Sequence, residues 1–96
     1  MKQRRLGRSG LQVSEIGFGA WGIGGLSAGA TSYGPSDDGK SVGALRAAFE
    51  HGVIFYDTAD LYGYGHSEAL IGDTLHAVRR QIVIASKVGF LEHYGP

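Results

Sequence analysis

Cysteine is absent from the 96-residue sequence, which excludes a disulfide framework and thiolate chemistry. Long apolar runs are absent as well, since none approaches the roughly 18 residues that a membrane-spanning helix requires. The charged first residues, MKQRRLGRSGLQV, are not followed by the apolar segment of a signal peptide. From these absences we predict a cytoplasmic protein that does not cross a membrane.

An excess of either charge is also lacking, because nine basic residues balance nine acidic ones and the net charge is zero. The composition therefore predicts no nucleic-acid partner. The basic cluster near the start is better explained as the solvated face of a hairpin than as a nucleic-acid patch. This cluster consists of Lys2, Arg4, Arg5 and Arg8. The histidines and acidic residues show no metal-ligand spacing, so no metal site is predicted.

Glycine, in contrast, is abundant, with 17 residues, most of them between Gly7 and Gly43. This density predicts tight turns and stretches of backbone that another group approaches closely. Residues 22–34 are rich in small residues and lack any periodicity. That segment is predicted to be a loop, long enough to have a function.

Short apolar segments predict five strands. Residues 4–6 and 11–14 flank a Gly-Arg-Ser-Gly turn and predict a β-hairpin, and residues 16–20 predict a first buried strand. The apolar runs VIFY at 53–56 and IVIAS at 82–86 have no polar interruption before their ends. Such runs are typical of strands that are buried on both faces.

Two helices are predicted between these strands. The first is capped by Ser36, carries two aspartates in its first turn and ends before Gly52. The second begins with Ser67 as its cap, so His66 is expected to be a solvated loop residue. Glu68 is expected to be a first-turn acid that the helix dipole stabilises. Its apolar face consists of Leu70, Ile71, Leu75 and Val78. The alternation of strands and helices predicts an α/β fold with parallel strands.

Three polar side chains follow the ends of two predicted strands. Asp57 closes the strand of residues 53–57, and Lys87 follows the strand of residues 82–86. The carboxyl ends of parallel strands meet at one edge of the sheet, where the active sites of α/β folds lie. Tyr62 stands on the loop that leaves this edge. We therefore expect the three side chains to lie close together.

This trio suits a reaction in which a carbonyl oxygen gains negative charge and needs a proton. A free tyrosine, with a pKa of about 10, is a poor acid at neutral pH, but a lysine cation beside a phenol stabilises the phenolate. Tyr62 is then a candidate general acid, Lys87 supplies the cation, and Asp57 holds the lysine charged and in place. A surface ion pair beside a packing tyrosine is the alternative that these residues alone leave open.

A second motif imitates a dinucleotide-binding fingerprint. Residues 17–22 read G-x-G-x-x-G, and Asp37 lies twenty residues after the first glycine. The fingerprint requires a helix that opens at the third glycine and directs its N-terminus at a pyrophosphate. Here more glycine and a long loop come next, so the sequence does not favour this interpretation.

Three segments carry a resemblance to a known family. GVIFYDTADLYGYGHSEALIG (52–72) closely resembles the signature of the aldo-keto reductases. LGRSGLQVSEIGFGAWGIGG (6–25) is similar to the N-terminal hairpin and first barrel strand of that family, and VIASKVG (83–89) to its third strand. The resemblance covers essentially the whole chain, in the expected order and spacing.

The resemblance implies a (β/α)8 TIM barrel that reduces aldehydes or ketones with NADP(H), or oxidises alcohols in the reverse direction. By matching position it implies that Tyr62 is the proton donor, Lys87 the residue that tunes this donor, and Asp57 their partner. It also places Ala20 and Trp21, together with Asp57, beside the nicotinamide of the cofactor. The expected substrate is a small carbonyl compound or alcohol.

The sequence departs from the family pattern beyond Lys87. The family has a fourth catalytic residue, a histidine on the next strand, and His93 lies too close to Lys87 to replace it. The segments that bind the pyrophosphate and the 2′-phosphate lie in the last third of the family's sequence. A barrel of this type takes about 250 residues. We therefore expect residues 1–96 to be the N-terminal segment of one barrel domain, inactive without the remainder of the barrel.

Two alternatives to an enzyme remain open at this point. One is a regulatory or binding protein on the same barrel, as in potassium-channel beta subunits. The other is a half-barrel that assembles with another chain. The joint presence of Asp57, Tyr62 and Lys87 favours chemistry, because binding alone does not require all three.

Overall fold

A computed structural model describes residues 1–23 and 37–89. The strands are β1 (Gln3–Arg5), β2 (Gln12–Ser14), β3 (Phe18–Gly19), β4 (Phe55–Asp57) and β5 (Val83–Ala85), and the helices are α1 (Asp38–Glu50) and α2 (His66–Leu75). Short 3-10 segments span Gly7–Ser9, Trp21–Ile23, Tyr62–Gly65 and His76–Gln81. Across these two ranges, no helix is long and apolar enough to cross a membrane.

The predicted hairpin is confirmed. β1 pairs with β2 in antiparallel orientation, with Arg4 opposite Val13. Gly10 lies in the turn with a φ of 73°, a left-handed conformation that glycine adopts without steric cost. The buried hydroxyl of Ser14 accepts a hydrogen bond of 2.9 Å from the backbone N–H of Ile54. This bond attaches the hairpin to the chain that enters β4.

The remaining strands form one parallel sheet in the order β3–β4–β5, as the alternation of strands and helices predicted. The register places Gly19 beside Asp57, and Asp57 beside Ala85. Two backbone bonds continue the pairing past the strands: Ala20 N–H donates to Asp57 O at 2.9 Å, and Thr58 N–H donates to Ala85 O at 2.8 Å. The carboxyl ends of the three strands therefore meet at one edge.

The core lies between the sheet and the two helices. Leu45 of α1, Tyr56 of β4 and Ile71 of α2 are each at most 1% exposed. The buried cluster consists of Ala20, Ile23, Leu45, Val53, Tyr56, Ile71, Leu75 and Ile82. Burial of this apolar surface fixes the helices against the sheet, and with them the positions of the strand ends.

The prediction that both apolar runs are buried on both faces is wrong for the described residues. Tyr56 is fully buried, and Ile54 and Ile84 are half-buried and pack against the core. Phe55 and Val83 alternate to the opposite face and are also only half-buried. The helices cover one face of the sheet, and uninterrupted apolar sequence does not reveal which neighbour covers the other.

The predicted buried strand of residues 16–20 is shorter than expected. Only β3 is extended and paired, and Ile16 is 59% exposed. Gly17 packs closely on β4, since a Cβ atom at this position would lie 2.9 Å from the Phe55 ring. This segment therefore contributes a close approach of two strands at Gly17, and the ring of Phe18, whose centroid lies 5.7 Å from that of Tyr56, packs against the core.

The start of α1 differs from the prediction, whereas its end agrees. Asp37, not Ser36, is the N-cap, and its carboxylate accepts the N–H of Lys40 at 3.2 Å. Gly52 has a φ of 96°, as expected for a glycine that follows a helix. Ser36 and most of the predicted loop of residues 22–34 lie outside the described residues.

The predicted limits of α2 are wrong at both ends. The helix begins at His66 after Gly65, and no side chain caps it. Ser67 is fully buried and uses its hydroxyl in the core instead of capping. At the other end α2 stops at Leu75, and Val78 packs against the core from a kinked 3-10 segment. The predicted apolar residues therefore do pack against the core, but Val78 belongs to a 3-10 segment and not to the α-helix.

Leu45→Ala tests the position of the core. Leu45 is fully buried, so removal of its side chain leaves a cavity and lowers the free energy of unfolding by about 2–5 kcal/mol. The control Leu11→Ala, at a leucine that is 48% exposed, changes it by less than about 0.5 kcal/mol. Urea unfolding of the protein expressed from its complete native reading frame measures both. Equal effects of the two substitutions contradict the described packing.

Candidate active site

An ion pair joins the ends of β4 and β5. The ammonium of Lys87 donates to Asp57 Oδ1 at 2.8 Å and to the backbone carbonyl of Thr58 at 2.8 Å. The two strands are hydrogen-bonded neighbours, which is why residues 30 positions apart meet here. The side chains of Lys87 and Asp57 remain about half exposed, at 54% and 51%. The pair is therefore accessible to a ligand, and the juxtaposition expected from the strand ends is present.

Tyr62 completes the cluster from the loop that follows β4. Its ring centroid lies 5.2 Å from Lys87 Nζ, within the range of a cation–π contact. The ring is carried by the 3-10 segment Tyr62–Gly65, in which Gly63, Tyr64 and Gly65 all have positive φ values of 63°, 52° and 99°. This left-handed backbone turns the chain sharply directly after Tyr62. Two of the three residues are glycines, which adopt such a conformation without steric cost.

The hydrogen bond to Asp57 raises the pKa of Lys87 above its ordinary value of 10.5. Partial burial opposes this shift, while the charge of Asp57 and the phenol of Tyr62 add to it. Because the folded-state pKa is the higher one, the pair stabilises the fold below pH 10.5, and this contribution is lost as the pH rises through the raised pKa. Lys87 is thus a permanent cation at neutral pH.

Two of the three residues predicted to meet the cofactor, Ala20 and Trp21, follow β3 at the same edge. Ala20 is fully buried, and its N–H donates to the backbone carbonyl of Asp57. Trp21 is half-buried and begins the 3-10 segment Trp21–Ile23. The backbone of Ala20 therefore holds β3 against Asp57, and Trp21 is the one of the two whose side chain retains exposed surface.

A cleft of about 340 Å³ opens beside the ion pair. It is lined by Ala59, Asp60, Leu61, Tyr62, Lys87, Val88 and Gly89. A larger cleft of about 510 Å³ reaches Asp57 from the hairpin side, but neither Tyr62 nor Lys87 lines it. The smaller cleft is the better candidate for a substrate because it combines apolar walls with the ammonium and the phenol.

Four hydroxyl and carboxyl residues around the cluster were not recognised in the sequence as parts of a site. Thr58 and Ser67 are fully buried, with their hydroxyl oxygens 2.7 Å apart. Ser86 donates to Glu68 Oε2 at 2.7 Å. For two of the four the available signal was their placement, because Thr58 directly follows Asp57 and Ser86 directly precedes Lys87.

His66 is solvent-accessible as the sequence suggested, with its side chain 41% exposed, but it does not lie in a loop. It is the first residue of α2, and its Nε2 lies 2.8 Å from Asp38 Oδ1 at the start of α1. The pair joins the N-terminal ends of the two helices, and neither residue lines the cleft beside Lys87. In residues 1–23 and 37–89, no three histidine or acidic residues are grouped so that they could hold a metal ion.

Known proteins resemble this chain closely. The sequence profile of the Aldo/keto reductase family matches residues 15–95. The aldo-keto reductase YhdN of Bacillus subtilis (strain 168) is 35% identical over 89 residues, which is 91% of this chain and 25% of that protein. A probable voltage-gated potassium channel subunit beta of Arabidopsis thaliana is 34% identical over 92 residues, 92% of this chain and 25% of that protein.

The solved structures that resemble this chain include aldo-keto reductases as well. The holo form of an aldo-keto reductase of Bacillus halodurans superposes with a TM-score of 0.77 at 37% identity, covering 93% of this chain and 26% of that one. An aldo-keto reductase of Klebsiella pneumoniae in complex with NADPH gives 0.71 at 33% identity, covering 91% and 28%. The chain thus spans about a quarter of the length of the proteins it matches.

Asp57→Asn tests the electrostatics of the ion pair. Loss of the carboxylate removes the largest cause of the raised pKa of Lys87, so this pKa falls toward 10.5. NMR titration of the Lys87 side chain, in the protein expressed from its complete native reading frame, measures the change. The control Asp73→Asn, at an exposed acid of α2, leaves the pKa of Lys87 unaltered. An unaltered value in Asp57→Asn as well contradicts the described pair.

Proposed function

The chain belongs to the aldo/keto reductase family, and from this premise we propose that the protein is a NADP(H)-dependent oxidoreductase that reduces aldehydes or ketones to alcohols, or runs the reverse reaction. One observation carries the proposal. Asp57, Tyr62 and Lys87 lie at one rim of a parallel sheet, with Lys87 Nζ 2.8 Å from the carboxylate and 5.2 Å from the phenol ring.

The proposed roles rest on these distances. Tyr62 donates its proton to the carbonyl oxygen of the substrate as the carbonyl carbon becomes reduced. The phenolate that remains is stabilised by the ammonium of Lys87 and takes up a proton from solvent. Asp57 keeps Lys87 charged and, together with the carbonyl of Thr58, directs its ammonium. In the reverse direction the phenolate of Tyr62 accepts the proton of the alcohol.

The cofactor is proposed from both the neighbours and the rim. A solved structure similar to this chain is in complex with NADPH. When bound, NADPH supplies the hydride. The described rim fits the reacting end of such a cofactor, because the carboxylate of Asp57 is half-exposed and the partly exposed Trp21 follows the neighbouring strand β3. Ala20, which is fully buried, would hold the strand end through its backbone and not contact the cofactor with its side chain.

We also propose that residues 1–96 form the N-terminal segment of a single (β/α)8 barrel domain. The hairpin, the parallel order β3–β4–β5 and the two helical crossovers support this organisation. The match to about a quarter of each relative supports it as well. On this proposal the remaining strands complete the substrate and cofactor sites, and the segment alone is inactive.

A regulatory role without catalysis is the second candidate, since a potassium-channel beta subunit is among the relatives. The cluster argues for chemistry over that role. A protein that only binds a partner does not need a lysine held by both a carboxylate and a backbone carbonyl beneath a tyrosine ring.

Tyr62→Phe tests the proposed function. The protein expressed from its complete native reading frame is assayed for NADPH oxidation with a panel of small aldehydes and ketones. Loss of the phenolic proton lowers kcat by about 10²–10⁴-fold, the usual contribution of a general acid, while NADPH binding followed by fluorescence is retained.

The matched control is Tyr64→Phe, which also removes a phenolic hydroxyl, two residues further along the same loop. Tyr64 is 40% exposed. It is expected to retain activity. Turnover by Tyr62→Phe at the unmodified rate would contradict the assigned proton donor. Absence of turnover in the unmodified protein, with NADPH bound, would favour the regulatory role.

A further inference from the structure

Ser67, in the first turn of α2, makes two polar contacts with the ends of β3 and β4. The hydroxyl of Ser67 lies 2.7 Å from Thr58 Oγ1 and donates to the carbonyl of Ala20 at 3.3 Å. Ser67, Thr58 and Ala20 are all fully buried. A single side chain of α2 therefore joins the ends of β3 and β4 in a place that water does not reach.

The next residue of α2 makes the equivalent contact with the third strand. Glu68 Oε2 accepts a hydrogen bond of 2.7 Å from the hydroxyl of Ser86, which directly precedes Lys87. Ser67 thus bonds to Thr58, the residue after Asp57. Its neighbour Glu68 bonds to Ser86, the residue before Lys87.

Thr58 connects these contacts to the ammonium. Its carbonyl accepts from Lys87 Nζ at 2.8 Å, and its N–H donates to the carbonyl of Ala85 at 2.8 Å. Its hydroxyl bonds to Ser67, so side chain and backbone are both engaged. Rotation of the Thr58 peptide would move one of the two acceptors that orient the ammonium, and the bond to Ser67 opposes this rotation.

We propose that Ser67 and Glu68 are positioning residues that fix the ammonium of Lys87 beneath Tyr62, through Thr58 and Ser86 respectively. The inference rests on the proposed carbonyl reduction and adds to it the residues that set its geometry. The contact between Ser86 and Glu68 is solvent-exposed and contributes little to stability. The bond nevertheless connects the first turn of α2 to the residue that directly precedes Lys87.

The readout is the pH profile of kcat for alcohol oxidation, in which Tyr62 must first lose its proton. Among the described residues, the titratable groups that act on Lys87 are Asp57 of β4 and Tyr62 itself. When the ammonium is displaced, it stabilises the phenolate less. The rising limb of the profile then moves to higher pH, an effect that a purely structural defect does not produce.

Ser67→Ala and Thr58→Val each remove one hydroxyl of the buried pair. Each is expected to move the rising limb to higher pH and to lower kcat by about tenfold or more, since misplacement by about 1 Å costs up to about 10²-fold. The double variant loses no more than the larger single loss, because both remove one interaction. Thr58→Ser, which keeps the hydroxyl, retains the original profile.

The controls separate this effect from simple loss of a serine or an acid. Ser41→Ala removes another buried serine hydroxyl, on α1 and away from the cluster, and leaves the pH profile unchanged. Glu68→Ala removes the acceptor of the Ser86 hydroxyl and moves the limb in the same direction as Ser67→Ala, whereas Glu50→Ala, at an exposed acid, does not. Glu68→Ala alters only an exposed contact, so it tests the inference even if the variants of the buried pair do not fold.

All variants are made in the protein expressed from its complete native reading frame. If that protein is active and Tyr62→Phe abolishes turnover, but Ser67→Ala and Glu68→Ala keep the original pH profile, the positioning role is overturned and the proposed function stands. Lack of turnover in the unmodified protein overturns the proposed function itself.

Discussion

The contact on which the site depends is the pair of hydrogen bonds from the Lys87 ammonium to Asp57 and to the carbonyl of Thr58. Both acceptors belong to the end of β4, whereas the lysine follows β5, so the pair exists only in the observed register, with Asp57 beside Ala85. A slip of one residue would send these side chains to opposite faces of the sheet. The electrostatics of the rim are therefore a consequence of strand pairing.

That register is itself maintained by the core and by polar contacts at the rim. Leu45, Tyr56 and Ile71 pack the helices against one face of the sheet, which fixes the distance between helix and strands. Hydrogen bonds, which are directional, are then needed at the rim, because apolar packing alone does not fix the rotation of a helix against the strand ends. Ser67 supplies such bonds in the buried layer, where an unpaired hydroxyl would be costly.

Much of this arrangement could be predicted from the sequence, and the misses share a cause. Alternating strand and helix patterns place Asp57 and Lys87 at one edge without knowledge of any contact. Ser67 is wrongly predicted as a cap because a serine before an apolar helix has the same pattern whether its hydroxyl binds the helix or a buried threonine. Likewise Phe55 is predicted to be buried but is only half-buried. Its apolar side chain indicates that burial is favourable, but the sequence does not identify which part of the protein would cover it.

We propose that carbonyl reduction depends on the cation of Lys87 beneath Tyr62. The most direct measurement is kcat for NADPH-dependent reduction by Lys87→Met, which removes the charge and keeps a flexible chain of similar length, in the protein expressed from its complete native reading frame. We expect kcat to fall by about 10²-fold or more while the protein stays folded and still binds NADPH. Reduction at the unmodified rate without this cation would contradict this proposal.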